Sequence, residues 1–526
     1  MHLLQTLLKT SSIPELWLVT RGSQSVLSNK ENHITGLAAS PLWGLGRVVS
    51  LEHPQLWGGL IDLDPQAPAA DETEMLWELL ANQQEEDHLA LRGEKIYVAR
   101  LVNKDTPEFS QPLSLSSDGS YLITGGLGAL GLHTAQWLVK KGAKNIVLTG
   151  RRPPTEKVTE SIKQIEETGC QVSVLLGDVS VEADIAKILE QIQTSMPTLK
   201  GIIHAAGVTG EIQLLQELEL SKLEAILRPK VVGGWLLHQL TQKLELDFFV
   251  NFSSIASVWG SKGQAHYAAA NHFLDGLTYY RRSLGTPSYS INWGPWSGGG
   301  MATGEAMNWL NQTGVKPLES EKAIAALNKV LVSNSPQTVV ADINWRLFKE
   351  LYELGGKRSF LEEISVYSEA RDGERTEEED KGEQNSLRQR LEAVTETQRR
   401  ELLRQILQEE VAQVLGLSIT NRPNPEVGFF EMGMDSLMTV ELQKRLSKLL
   451  GVNLSSTLTF DLSNIEQLEK YIIDQHLVTV GLFEPETDKD EQKGDFLETN
   501  LLEEIEQSSD RELEGSIDKI LESIIN

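Results

Sequence analysis

Cysteine is almost missing: Cys170 is the only one in 526 residues. No intrachain disulfide can form, structural zinc has no cysteine pair to bind, and a reducing cytosol is the expected surrounding. Basic charge is also short. Lys and Arg number 48 against 75 Asp and Glu, a net charge of -27, which argues against nucleic acid as a partner. No apolar run approaches the ~20 residues that cross a bilayer, so no membrane partner is expected. Met1-His2-Leu3-Leu4 lacks the basic start and small-residue cleavage site of a secretory signal.

What is present fits several globular domains. The hydrophobic content of 40% and mean hydropathy of -0.24 are those of soluble cores, and the length exceeds one such core. Residues 1–115 mix short apolar runs with turns. Leu16–Thr20 and Ile96–Arg100 read as strands, and Pro41–Arg47 as a loop entering a helix. This block opens on an apparent helix, Leu3 to Leu8, and the first strands of a small α/β unit are expected to be missing. From residue 120 the pattern alternates strand and helix, as in a doubly wound α/β domain with a parallel sheet. The strands are Tyr121–Thr124, Asn145–Thr149, Val172–Leu176, Gly201–His204, Phe248–Phe252 and Ser288–Asn292. Residues 366–394 are charged and read as a solvated linker. Residues 395–476 repeat apolar positions at helical spacing, with Leu402, Leu403, Ile406, Leu407, Val411, Val414 and Leu415 on one helix. The remainder, 477–526, is acidic. From Glu484 onward fifteen acids face four bases, a balance of -11, so its partner should be basic.

Gly126, Gly128 and Gly131 follow a strand and open a helix. In that setting the backbone can approach a pyrophosphate and the helix N-terminus faces the anion. The next strand ends in Arg151-Arg152 with no acid. A bare ribose 2′-hydroxyl usually meets a carboxylate there, whereas a 2′-phosphate suits guanidinium groups, so NADPH is the expected cofactor. Asp178 is placed to meet the adenine edge. Ala206, in the small-residue run after His204, would let the nicotinamide ribose pack on backbone.

Reducing a ketone needs hydride at carbon and a proton at oxygen. Tyr267 is the candidate acid, and a phenol of ordinary pKa near ~10 calls for a neighbouring cation. Lys230 can supply it. Ser254 would donate to the carbonyl oxygen. Asn271 lies one helical turn after Tyr267 and could fix Lys230 or a water in a proton relay.

The segment from Asn251-Phe252-Ser253-Ser254 to Tyr267-Ala268-Ala269-Ala270-Asn271 resembles the ketoreductase domains of modular polyketide synthases, members of the short-chain dehydrogenase superfamily. Most of that superfamily has lysine four after the tyrosine. Asparagine there, with the lysine upstream in Arg228-Pro229-Lys230-Val231, matches the polyketide branch. The resemblance gives the serine role to Ser254, thirteen before Tyr267. Asn292-Trp293-Gly294-Pro295-Trp296 resembles the segment beside the nicotinamide, and Gly298-Gly299-Gly300 the start of a mobile lid. It implies that residues 1–115 are a structural subdomain, a truncated Rossmann-like unit that binds no cofactor, and that 116–365 are the catalytic domain. It also bears on stereochemistry. Thr209-Gly210-Glu211 stands where D-hydroxyl producers carry Leu-Asp-Asp. Trp259, eight before Tyr267, marks L-hydroxyl producers. Gln264 replaces the histidine of those that reduce epimerised substrates. An A1-like reductase is expected, with Trp259 as plain core packing the alternative.

Ser436, in Gly433-Met434-Asp435-Ser436-Leu437, falls at a predicted helix start, and its block resembles acyl carrier domains that take 4′-phosphopantetheine on this serine. The resemblance implies a phosphopantetheinyl transferase as a partner and an all-α four-helix carrier at 395–476. Leu513, Ile517, Ile520 and Ile524 form a short heptad seam that looks like a docking helix. It points to upstream and downstream synthase subunits and a homodimer through the tail. The combined expectation is NADPH-dependent reduction of a tethered β-ketoacyl group. Two alternatives stay open: a redox-silent structural reductase fused to a working carrier and tail, against which the four intact positions count, and a free-standing reductase for an untethered ketone.

Overall fold

The computed structural model describes residues 1–9, 14–26, 34–67, 69–81, 86–103, 115–297, 307, 310, 313–353, 358–364, 390–391, 394–415, 417, 422–429, 431–434, 436–450, 452, 454 and 462–477. Gly298-Gly299-Gly300, most of the charged linker and the C-terminal tail lie outside them. The chain divides into two compact units, Met1–Gly373 and Glu374–Asn526.

The first unit begins with helix α1 (His2–Leu7), strand β1 (Leu16–Arg21), helix α2 (Pro41–Glu52), β2 (Trp57–Leu63), α3 (Ala69–Ala81), β3 (His88–Arg92) and β4 (Lys95–Val98). The four strands form one sheet in the order β1-β2-β3-β4, with only β3–β4 antiparallel. The stretch read as a loop at Pro41 is already helix. Proline tolerates the first helical position because its missing N–H has no partner there in any case.

A second, seven-stranded sheet follows. It is built from β5 (Ser120–Thr124), β6 (Asn145–Gly150), β7 (Gln171–Leu176), β8 (Leu199–His204), β9 (Phe248–Ser254), β10 (Tyr289–Trp293) and β12 (Gln337–Val340), β11 being the short strand Val315–Lys316. The order is β12-β10-β9-β8-β5-β6-β7, all parallel. Side chains alternate across the sheet. Ile123, Leu148, Ile203 and Val250 enter the core on one face, and Leu122, Val147, Ile202 and Phe249 the core on the other. Burial on both faces is why these strands read as continuous apolar runs.

Among the described residues the helices of this part are α4 (Ala129–Lys140), α5 (Glu156–Glu166), α6 (Glu182–Ser195), α7 (Leu220–Leu227), α8 (Gly233–Thr241), α9 (Ala256–Trp259), α10 (Ala265–Ser283), α11 (Ser320–Ser333) and α12 (Trp345–Tyr352). One π-helical turn, Arg228–Val232, joins α7 to α8. The strand order reverses between β5 and β8. Ligands of open α/β sheets bind in the crevice beyond the carboxyl ends at such a reversal. The glycine loop, Arg151-Arg152, Asp178, Ala206 and Ser254 lie at or just past strand ends on this side, Lys230 lies in the π turn, and Tyr267 and Asn271 sit on α10.

The second unit contains helices Glu396–Val414, Ser436–Leu450 and Ile465–Ile472. Thr395 and Gln398 close a capping box on the first. Leu403, Leu407, Val411, Phe429, Leu442, Leu446, Ile465 and Leu468 share its core. The buried Glu469 carboxylate is held by Arg400 at 3.2 Å and Arg404 at 2.6 Å.

Candidate active site

Tyr267 lies in the first turn of α10 and is 7% exposed. Ser254 ends β9 and Lys230 occupies the π turn before α8; they are 8% and 2% exposed. Asn271 follows one turn after Tyr267 on α10 and is fully buried. Strand end, π turn and helix thus bring together four residues spread over more than forty positions of sequence. The Lys230 Nζ lies 5.9 Å from the centre of the Tyr267 ring. It donates to the Phe252 carbonyl at 2.9 Å, which aims the ammonium across the end of β9.

Burial governs the acid–base properties. It pulls the Lys230 ammonium down to about 8, with the Asp275 carboxylate acting in the opposite direction. It pushes the Tyr267 phenol up, and hydrogen bonding to Ser254 and Asn271 offsets part of that. The phenol therefore stays protonated through neutral pH and has a donor-rich surrounding if it gives its proton up. Asn271 does not hold Lys230 directly. Its Nδ2 turns back to the Tyr267 carbonyl at 2.8 Å, and its buried Oδ1 has no hydrogen-bond partner among the described residues. A buried acceptor left open in this way is suited to a water.

Two further residues support the four: Asp275, which sequence reasoning passed over, and Gly207, from the small-residue run after His204. Asp275, one turn beyond Asn271, is 2% exposed. It accepts from Ser257 Oγ at 2.7 Å, Ser290 Oγ at 2.5 Å and Asn292 Nδ2 at 3.0 Å, tying α10 to α9 and β10. Gly207 sits against the lysine: a Cβ there would come within 2.7 Å of Lys230 Cε. The preceding His204 side chain is structural. Its Nδ1 pairs with Thr124 Oγ1 at 2.7 Å, and burial holds it neutral, down to about 3.

The glycine loop joins β5 to α4. Gly125, not singled out in sequence, adopts φ +69°, where L side chains are strained, and a Cβ would meet the Ala206 N at 2.8 Å. Gly126 packs on the β6 backbone, Gly128 caps α4, and Gly131 lies inside its first turn against Gly125. Arg151 and Arg152 are exposed just past β6. Burial raises the Asp178 carboxyl, but the Ser180 backbone and hydroxyl, with the Arg151 and Arg228 charges, outweigh it and hold the carboxyl below its usual range. Ala206 lies beside the loop at the β8 end.

Trp259 closes α9 and is 3% exposed, packed edge-on against Trp345 and Phe348 with centroids 6.1 and 5.1 Å apart. Gln264 caps α10 without a side-chain cap bond and is partly exposed. Ser436 is the first residue of its helix, in the second unit.

Four family models match this chain. A ketoreductase domain covers residues 119–298 and a phosphopantetheine attachment site 405–472. The Rossmann fold domain of polyketide synthase extender module SpnB covers 1–101, and a class 2 C-terminal docking domain 496–523. Polyketide synthase GfsB of Streptomyces halstedii is 33% identical over 88% of this chain, which spans 8% of that protein. Erythronolide synthase EryA3 of Saccharopolyspora erythraea is 34% identical over 88% of this chain, which spans 14% of it. Among solved structures, a ketoreductase from the first module of phoslactomycin biosynthesis in Streptomyces sp. HK803 is 32% identical with TM-score 0.64. The match covers 70% of this chain and 84% of that one. An A1-type ketoreductase is 34% identical with TM-score 0.62, covering 66% of this chain and 73% of that one. With a reductase sheet, a carrier helix unit and these matches in register along its length, the chain belongs to the modular polyketide synthases, as a segment with a ketoreductase domain, a phosphopantetheine attachment site and a docking domain.

Proposed function

We propose that this chain reduces a β-ketoacyl thioester, carried on its own phosphopantetheine arm, to an L-β-hydroxyacyl thioester during polyketide chain extension. The observation that carries the reading is the buried Tyr267 phenol with the Lys230 ammonium 5.9 Å from its ring centre and the Ser254 hydroxyl beside it.

NADPH, when bound, supplies the hydride. The residues suited to hold it are the Gly126, Gly128 and Gly131 loop for the pyrophosphate, Arg151 and Arg152 for the 2′-phosphate, Asp178 for the adenine edge and Ala206 for the ribose. Gly125 supports the fit, because a Cβ there would fill the gap between the β5 and β8 ends. The chain's own residues handle the oxygen. Ser254 donates to the keto oxygen and orients it, and Tyr267 gives its proton to that oxygen as negative charge develops. Lys230 and Ser254 then hold the phenolate, and a water at Asn271 Oδ1 leads a new proton toward it.

The A1-like outcome is supported by Trp259, by the absence of Leu-Asp-Asp at residues 209–211, by Gln264, and by the 34% identity to an A1-type ketoreductase. The Trp259 ring is buried, so it acts on the cleft through the placement of α9. The domain assignment is 1–115 structural subdomain, 116–365 reductase, 366–394 linker, 395–476 carrier and 477–526 acidic linker with docking helices. A phosphopantetheinyl transferase loads Ser436, and the tail pairs two copies and hands product to the next subunit. The test is a diketide β-keto thioester offered with NADPH or NADH, followed by chiral analysis. Faster NADPH oxidation and one L-hydroxyl product are expected. A D-hydroxyl product, or a preference for NADH, would overturn those parts.

A further inference from the structure

Glu52 stands at the wrong end of a helix. It closes α2, where the helix dipole disfavours a carboxylate, and it is partly buried. What holds it there lies in the other subdomain. Its Oε1 accepts from the Gly263 N–H at 2.7 Å and its Oε2 from the Leu215 N–H at 2.7 Å. These two amides belong to different loops. One loop runs from the β8 end past Gly207, against Lys230, to α7. The other follows α9 and leads into α10, with Gly263 four residues before Tyr267.

The loops are also joined directly. The Gln213 N–H donates to the Gly263 carbonyl at 2.8 Å, and the His266 ring bonds the backbone at Glu211. From α1, Gln5 Nε2 donates to the carbonyls of Leu215 at 3.1 Å and Leu218 at 2.9 Å. Leu4, Leu215 and Tyr267 share one apolar cluster. Two elements of the subdomain without candidate chemistry thus grip both loops beside the phenol.

We infer that Glu52, assisted by Gln5, is a positioning residue: it fixes the spacing of the two loops flanking Tyr267 and thereby how a β-ketoacyl chain is presented to the phenol. This rests on the reductase reading above. Charge-assisted bonds from one carboxylate to two backbone amides are strong enough to set a loop spacing, and a carboxamide cannot accept both in the same way.

The test uses the full chain and Glu52→Gln, Glu52→Asp and Gln5→Ala. Amide hydrogen exchange at Gly263 and Leu215 should accelerate at least tenfold in Glu52→Gln while the β5, β8 and β9 amides keep their protection. KM for a β-ketoacyl pantetheine thioester should rise three- to tenfold with a smaller fall in kcat, and the hydroxyl product should lose enantiomeric purity. Glu52→Asp should recover part of each change. Slow exchange at both amides in Glu52→Gln, or fast exchange with KM and product purity unmoved, would overturn the inference. Should Glu52→Gln fail to fold, folded Gln5→Ala decides: a smaller shift of the same sign supports it, and no shift in KM or purity overturns it. A wild-type chain that oxidises no NADPH, yet shows the Glu52-dependent exchange, would sink the reductase reading and leave the loop staple standing.

Discussion

Lys230 carries its charge against the pull of burial, which lowers its ammonium from 10.5 to about 8. The folded chain holds this proton less tightly than the unfolded one. The penalty is therefore fully present below about 8 and fades as pH rises toward 10.5, a difference of about 3 kcal/mol. Lys230→Met should accordingly be the more stable chain at neutral pH, by up to about 3 kcal/mol, while losing activity. Denaturant midpoints of the two proteins should converge as pH is raised toward 10.5; a gap that widened would contradict the assignment. The same ammonium predicts a falling kcat/KM limb above pH about 8, because burial keeps the Tyr267 phenol protonated through that range and the loss of charge then belongs to Lys230. Tyr267→Phe should lower kcat/KM by about 10²- to 10⁴-fold with little change in melting temperature, measured with a β-keto thioester.

Elements decide which small residues are tolerated near the site. Gly207→Ala places a methyl against the far end of a flexible lysine, so the fold should survive while the Lys230 amine is displaced and kcat drops. Gly125→Ala is different: the positive φ and the Ala206 backbone leave nothing to yield, and a loss of about 2 kcal/mol or more is expected. Thermal melts beside kcat separate the two effects. Much of this architecture was legible. Strands β5, β6, β8, β9 and β10 are buried on both faces, so each reads as an apolar run, while β7, half-exposed at the sheet edge, is legible from its valines and leucines. Gln337–Val340 was missed because it is short, half polar and at the sheet edge. Pro41 reads as a loop because proline marks breaks and helix starts alike. Tyr267, Ser254, Lys230 and Asn271 were found by spacing and resemblance. Asp275 was not, since its hydroxyl and amide partners lie on α9 and β10 and no local pattern connects them. Glu52 was invisible for a stronger reason: its partners are backbone amides 163 and 211 residues away.

The molecule as a whole pairs one reductase unit with one carrier unit on a single chain. Tethering substitutes local concentration for tight binding, so activity on the loaded arm should exceed that on a free thioester at equal nominal concentration. Ser436→Ala should abolish the mass gain on treatment with a phosphopantetheinyl transferase and leave reduction of free thioester intact. The most direct test loads the transferase-treated chain with a β-ketoacyl group, adds NADPH and weighs the carrier peptide. The account predicts that the group on Ser436 gains the mass of two hydrogens in the wild-type chain and not in Tyr267→Phe. An acyl group unchanged in the wild type, or reduced equally by Tyr267→Phe, would contradict it.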